Sequence, residues 1–230
     1  MNDRLERWTP IAGWLTLILM LVALYGALIL SPPEQMLGDA FRIFYFHVPS
    51  AWSAYLAFTV VFVASIAYLL TRNRHWDVLA LSSAELGVVF TTLALITGSL
   101  WAKSFWGIWW TWGDMRLTLT LFLWFLYVAY LMLRAYTEPG PQQARLSAVI
   151  AVVGVPVIVM NHFAVRIWRT QHPSPVVLRE GGPAIEPIMI VVLVISLIAF
   201  TVMYIYLLAN RVRLERTRIA LRSAQEQLSA

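Results

Sequence analysis

The chain has 230 residues, 60% of them hydrophobic and 13% charged, with a mean hydropathy of +0.71; this excludes an ordinary soluble domain and fits a protein that crosses a membrane repeatedly. Its formal charge of +5 at pH 7, concentrated in the C-terminal tail, argues against nucleic acid as a partner and for an ordinary cytoplasm-facing tail. The absence of cysteine removes disulfides, thiolate metal ligands, cysteine nucleophiles and thioether-linked prosthetic groups together.

Arg4 and Arg7 precede an apolar run from Ile11 to Leu30. A cleavable leader has a hydrophobic run of only about 7–15 residues, so this one reads as a retained first span. A spanning helix needs about 20 mainly apolar residues, and the segments 9–30, 50–71, 83–102, 117–136, 145–163 and 187–209 qualify. The expectation is an all-α integral membrane protein of six transmembrane helices with short loops. A membrane domain would cover 1–210 and a basic helical tail 211–230. Pro49 falls at the expected start of the second helix, where its missing N–H is harmless. Gly154 and Pro156 interrupt the fifth span and predict a kink there. The tail sets leucines among arginines and glutamines, a partly amphipathic helical continuation whose usual contact is anionic lipid headgroups.

Loop arginines and lysines set orientation. Of the 17 basic residues, eleven fall on the side of the two termini and six on the other; the tail supplies the difference, so both termini are expected in the cytoplasm. Three outer loops follow, at 31–49, 103–116 and 164–186. They hold His47, a tryptophan-rich stretch and His172, with His162 near the outer end of the fifth span. Only His75, beside Arg74 and Asp77, faces inward, and it reads as structural.

The tryptophan-rich stretch is Trp106-Gly107-Ile108-Trp109-Trp110-Thr111-Trp112-Gly113-Asp114-Met115-Arg116. Two readings stand for Trp106, Trp109, Trp110 and Trp112: an interfacial aromatic belt, or a platform for a planar apolar ligand, each ring offering large rigid contact area. His47 and His172 each lie close to proline, in His47-Val48-Pro49 and His172-Pro173-Ser174-Pro175, and proline reduces the entropy lost on clamping a ligand. Either histidine alone reads as a polar loop residue. As a pair on one side of the membrane, they match the way two neutral imidazoles hold haem iron from opposite faces. His162 is a reserve ligand. Haem propionates would take cations from Arg42, Lys103, Arg116, Arg166 and Arg169, which otherwise flank or snorkel from membrane segments. Asp114 is positioned to pair with Arg116 or to orient an indole N–H or a ligand histidine. Glu85 is the sole acid within a span, too little for a proton relay. No zinc, hydrolase or nucleotide-binding motif is present, and no catalytic residue is assigned.

The run Trp106 to Thr118 resembles the tryptophan-rich WWD signature of haem-handling membrane proteins, and the six-span size is similar to that of the CcmC family, haem exporter protein C of bacterial cytochrome c maturation. The segment Phe44-Tyr45-Phe46-His47-Val48-Pro49-Ser50-Ala51-Trp52 resembles that family's first-histidine region, and His172 matches its second histidine. The resemblance covers roughly residues 10–210. One departure is Gly113, which separates Trp112 from Asp114 where the family runs Trp directly into Asp. The resemblance implies a non-covalent, b-type haem held on the outer face of the bacterial cytoplasmic membrane by His47 and His172 over a platform of Trp106, Trp109, Trp110, Trp112 and Asp114. It also implies delivery to the periplasmic haem chaperone CcmE, which becomes covalently loaded, and assembly with the ATP-binding-cassette subunits CcmA and CcmB and the small single-span CcmD.

Three rivals are weighed against this. A transporter moving haem across the bilayer predicts polar residues along the spans, where only Glu85 stands out. A membrane b-type electron-transfer cytochrome ligates haem from within its helices, whereas these histidines are expected at the outer edge. A purely structural subunit has no need of the aromatic density.

Overall fold

The structure, a computed structural model, describes residues 2–229 apart from 169, 174, 175 and 178, with side chains from Thr9 onward. Seven α-helices account for most of the chain: α1 (Asn2–Tyr25), α2 (Phe44–Thr71), α3 (Arg74–Trp106), α4 (Met115–Tyr136), α5 (Pro141–Val153), α6 (Val155–Ile167) and α7 (Pro187–Ser229). They form six helical units long and apolar enough to cross a membrane, with α1 extended by a π-helical turn at Gly26–Leu30 and with α5 and α6 sharing one crossing. The all-α, six-span expectation therefore holds, and each predicted span lies within one of these units.

The break between α5 and α6 falls at Gly154, and Pro156 occupies the first turn of α6, where its ring needs no N–H partner. Gly154 also sits against α4: a Cβ there would lie 3.1 Å from the Leu126 side chain. The predicted kink is thus a packing site as well as a backbone interruption.

The second helix starts earlier than expected. Its first residue is Phe44, so His47 lies in its first turn and Pro49 is inside the helix rather than at its start. Tertiary burial overrides the proline. Phe41, in a short 3-10 helix at Asp39–Ile43, stacks on Phe44 at 4.8 Å and meets the Tyr45 ring edge-on. Tyr45 is fully buried and shares a 2.7 Å hydrogen bond with Ser31, within a cluster that includes Ala27, Met189 and Val192. Anchoring of this aromatic turn against α1 and α7 offsets the lost backbone hydrogen bond.

The α2–α3 pair forms the centre of the bundle. Small residues let the helices approach: Ala57 and Ala84 are fully buried, and a Cβ on Gly87 would lie 2.4 Å from the Phe58 ring. Phe58 stacks on Tyr127 of α4 at 3.8 Å. At 33 residues α3 is roughly 50 Å long, so it projects beyond the hydrocarbon at its ends and carries Trp101 and Trp106 at its C-terminal end. Asn73 caps its start by accepting the His75 N–H, and Gly107, at φ 75°, ends it in the left-handed conformation that glycine adopts freely.

At the end of the bundle away from the tryptophans, charges meet in pairs. Arg134 binds Asp77 through two hydrogen bonds of 2.5 and 3.0 Å. Glu85 accepts from Arg211 of α7 at 2.7 Å, and Arg211 also reaches Glu215. Arg216 donates to His75 Nδ1, consistent with the structural reading of that histidine. From there α7 runs without interruption through the tail to Ser229.

Candidate functional site

Helices α2, α3, α4, α6 and α7 and the segment between α6 and α7 line a cavity of about 390 Å3 with mostly apolar walls. His47 enters it from α2, Trp101 and Trp106 from α3, Trp110 from the connecting loop, Arg116 from the first turn of α4 and His172 from the segment after α6. Residues more than 120 positions apart in sequence are thus brought to one chamber.

His47 rests on α3. Its Nδ1 lies 3.0 Å from the Ala94 carbonyl and 3.1 Å from Thr97 Oγ1. A carbonyl only accepts, so Nδ1 carries the hydrogen and Nε2 the lone pair. The ring fits there because residue 98 is glycine: a Cβ would stand 2.9 Å from His47 Cε1. His172 is held by the same logic, with Nδ1 3.0 Å from the Pro173 carbonyl. Withdrawal from water pushes the His172 pKa down to about 4, and the nearby Arg116 charge acts in the same direction, so the ring is neutral at physiological pH. In both imidazoles Nδ1 is tied to a backbone carbonyl, which leaves Nε2 free of it.

The tryptophans divide. Trp106 and Trp110 line the cavity, whereas Trp109 and Trp112, 56% and 72% exposed, are not among its described walls. Of the expected platform residues Trp106 and Trp110 line the cavity, and beside them stands a residue that the sequence reading passed over, Trp101. Trp101 meets Trp106 edge-on at 5.6 Å. The indole N–H groups of Trp101 and Trp110 are buried and have no hydrogen-bond partner among the described residues. Ala94, Gly98 and Trp101 follow one another at the i, i+4, i+7 spacing of a helix face, which is the signal that exposes this wall in the sequence.

Of the five candidate cations, Arg116 lines the cavity. Arg42 is used elsewhere: it binds Asp39 at 2.9 Å and donates to the carbonyls of Ala27 and Leu28 at the π-helical end of α1. Lys103 donates to the Gly107 carbonyl at 2.8 Å and stands 5.8 Å from the Trp109 ring centre. Arg166 lies 5.9 Å from the Phe163 ring, and Arg169 is outside the described residues. The reserve ligand His162 is exposed on α6, edge-on to Phe163, and is not among the described cavity walls. Its neighbour Asn161 faces the opposite way, donating to the Arg116 carbonyl at 3.0 Å and to Thr120 at 2.8 Å while accepting from Tyr55.

Asp114 is bound to backbone on both of its oxygens. It is almost completely buried and lies outside the described cavity lining. Its Oδ1 accepts the N–H groups of Arg116 and Leu117 at 3.0 and 3.1 Å, capping α4. Its Oδ2 accepts those of Gln171 and His172 at 2.7 and 3.2 Å. Of the three roles open to it, the ion pair with Arg116 and the indole contact are not formed among the described residues; the carboxylate binds backbone, that of His172 included.

The family model described as "Heme exporter protein C" matches residues 2–228. The chain is 36% identical over 211 residues to heme exporter protein C of Bradyrhizobium diazoefficiens, an alignment covering 91% of this chain and 79% of the relative. It is 31% identical over 207 residues to the Haemophilus influenzae protein of the same name, covering 90% and 84%, and 32% identical over 183 residues to that of Escherichia coli, covering 79% and 71%. With the match running from one end of the chain to the other, the protein belongs to the CcmC family.

Proposed function

We propose that the protein handles haem for cytochrome c maturation by binding it in this cavity, with His47 and His172 as axial ligands, and by passing it to the periplasmic chaperone CcmE. The observation that carries the reading is the pair of imidazoles lining one apolar cavity, each with Nδ1 tied to a backbone carbonyl. Family membership supports haem as the ligand. When bound, haem would supply an iron, and the neutral imidazole nitrogens of His47 and His172 are the groups that would hold it.

The residues present fit a non-covalent, b-type haem. The chamber is lined mainly by hydrophobic and aromatic side chains, as a macrocycle requires, and it contains few polar groups. Two buried indole N–H groups with no partner among the described residues, on Trp101 and Trp110, are donors for a ligand's polar edge, and Arg116 is the cavity-lining cation that would hold a propionate. The absence of cysteine leaves no thioether route. By the same reading the cavity end faces the periplasm, both termini are cytoplasmic, and CcmA, CcmB, CcmD and membrane lipids are the partners.

The test is the visible absorption spectrum of the purified protein titrated with haem, beside His47→Ala and His172→Ala. Low-spin bis-histidine bands in the wild type are expected, lost or altered in each variant, with affinity lowered by about 100-fold or more, since even the partners that orient a ligand contribute roughly 10–100-fold. A wild type that takes up no haem overturns the reading.

A further inference from the structure

We propose that Asp114 is a positioning residue that holds His172 in the site, and that the α4 cap and the second ligand are thereby one mechanical unit. The proposal rests on the haem reading only for the word ligand; the tie itself is a property of the chain.

The argument starts from the hydrogen-bonding capacity of a carboxylate, about four acceptor sites on two oxygens. A residue needed only to cap a helix uses one oxygen. Here Oδ1 takes both α4 N–H groups, and Oδ2 takes the N–H groups of Gln171 and His172, more than 50 positions away in sequence. A buried carboxylate is costly unless fully hydrogen-bonded; four N–H donors and the positive end of α4 satisfy it. Further along, the segment it holds is anchored by Val177 and Ile185, which pack against the cluster around Tyr45, and by the Ala184 N–H donating to the Val176 carbonyl at 2.8 Å; Asp114 is the tie at the histidine itself. Residues 168–186 contain no helix among those described, and the contact of the His172 ring with Pro173 is local. Asp114 also ends the tryptophan loop, and Thr118 of α4 donates to the Trp112 carbonyl at 3.1 Å. One side chain thus fixes the second histidine relative to both the aromatic wall and Arg116.

Asparagine separates the two halves of this role. Asp114→Asn keeps one carbonyl oxygen, which caps α4 as well as aspartate does, but presents an NH2 group where the Gln171 and His172 N–H groups need an acceptor. Asp114→Ser, which caps but lacks a second oxygen, serves if the asparagine variant does not fold.

Amide hydrogen exchange of the full-length, haem-free protein in detergent reads the tie directly. In the variant, exchange at Gln171 and His172 is expected to rise roughly tenfold or more, the scale of losing charge-assisted hydrogen bonds, while the first turn of α4 changes little. Haem titration then reads its consequence. The variant's spectrum should move toward that of His172→Ala, and added imidazole should restore low-spin bands in both by taking the vacated position. Unchanged exchange at 171–172 overturns the tie. Faster exchange with a wild-type spectrum overturns the positioning role. Failure of the wild type to bind haem sinks the functional reading and with it the positioning role, and the exchange result still decides the tie.

Discussion

The two ends of the bundle differ in how their charged groups are used. At the end carrying the α2–α3 turn, Asp77 and Glu85 are matched with Arg134 and Arg211, and the charges neutralise one another across helices. At the other end, Arg116 and several polar groups face a cavity and part of their capacity is left over: two indole N–H groups have no partner among the described residues, and the imidazoles are tied at Nδ1. Ser65, Ser82 and Ser147 near the first end also have buried hydroxyls with no partner among the described residues, so the contrast lies in the charges, which are paired across helices at one end and face a cavity at the other.

Breaking a pair at the closed end should produce the largest change in stability and the least in ligand binding. Arg134→Ala leaves Asp77, whose side chain is only 13% exposed, without its partner; removal of one member of such a pair costs about 3–5 kcal/mol. A fall of several degrees in the thermal transition of the haem-free protein is expected, with the haem spectrum of the surviving folded fraction unchanged. A spectrum that shifts with Arg134→Ala would show that the two ends are not independent.

Gly98→Ala sharpens the contrast from the cavity side. Its methyl would press on His47 Cε1, and overpacking of this kind costs about 1–3 kcal/mol. The ring must turn, and its hydrogen bond to Ala94 is strained, so haem affinity is expected to fall about tenfold while thermal stability falls less than in Arg134→Ala. Equilibrium haem titration of the two variants side by side checks this; an unaffected Gly98→Ala would mean that the His47 ring is not confined by α3.

The fold was largely legible because a membrane helix needs a long apolar run, and a run of about 20 residues is hard to mistake. Gly154 and Pro156 announced the broken span for an equally local reason. What escaped was tertiary. The start of α2 at Phe44 depends on Phe41 and Tyr45 finding a pocket between α1 and α7, which no window of sequence contains. The site was half legible: His47, His172, Trp106, Trp110 and Arg116 were named from residue type and side of the membrane, and they share the cavity. Arg42 and Lys103 looked equivalent to Arg116, since formal charge does not disclose that backbone carbonyls already occupy their donors. Trp101 was hidden inside a span, where one more apolar residue carries no signal until Gly98 and Ala94 are seen on the same helical face.

The smallest effect is expected where the tryptophan loop leaves the cavity. Trp110 is a cavity wall and Trp112, 5.7 Å away ring to ring, is 72% exposed, so neighbouring tryptophans in one motif should differ in consequence. Trp110→Ala removes a wall and an unpartnered donor and should weaken haem binding by roughly tenfold, the scale of one aromatic contact. Trp112→Cys should leave affinity within about twofold, as exposed substitutions do. Because the protein has no cysteine of its own, the same variant carries a single thiol, and a membrane-impermeant maleimide applied to intact spheroplasts should label it. Labelling only after lysis would place the cavity on the cytoplasmic side and overturn the orientation, and equal losses in the two variants would return Trp112 to the ligand platform.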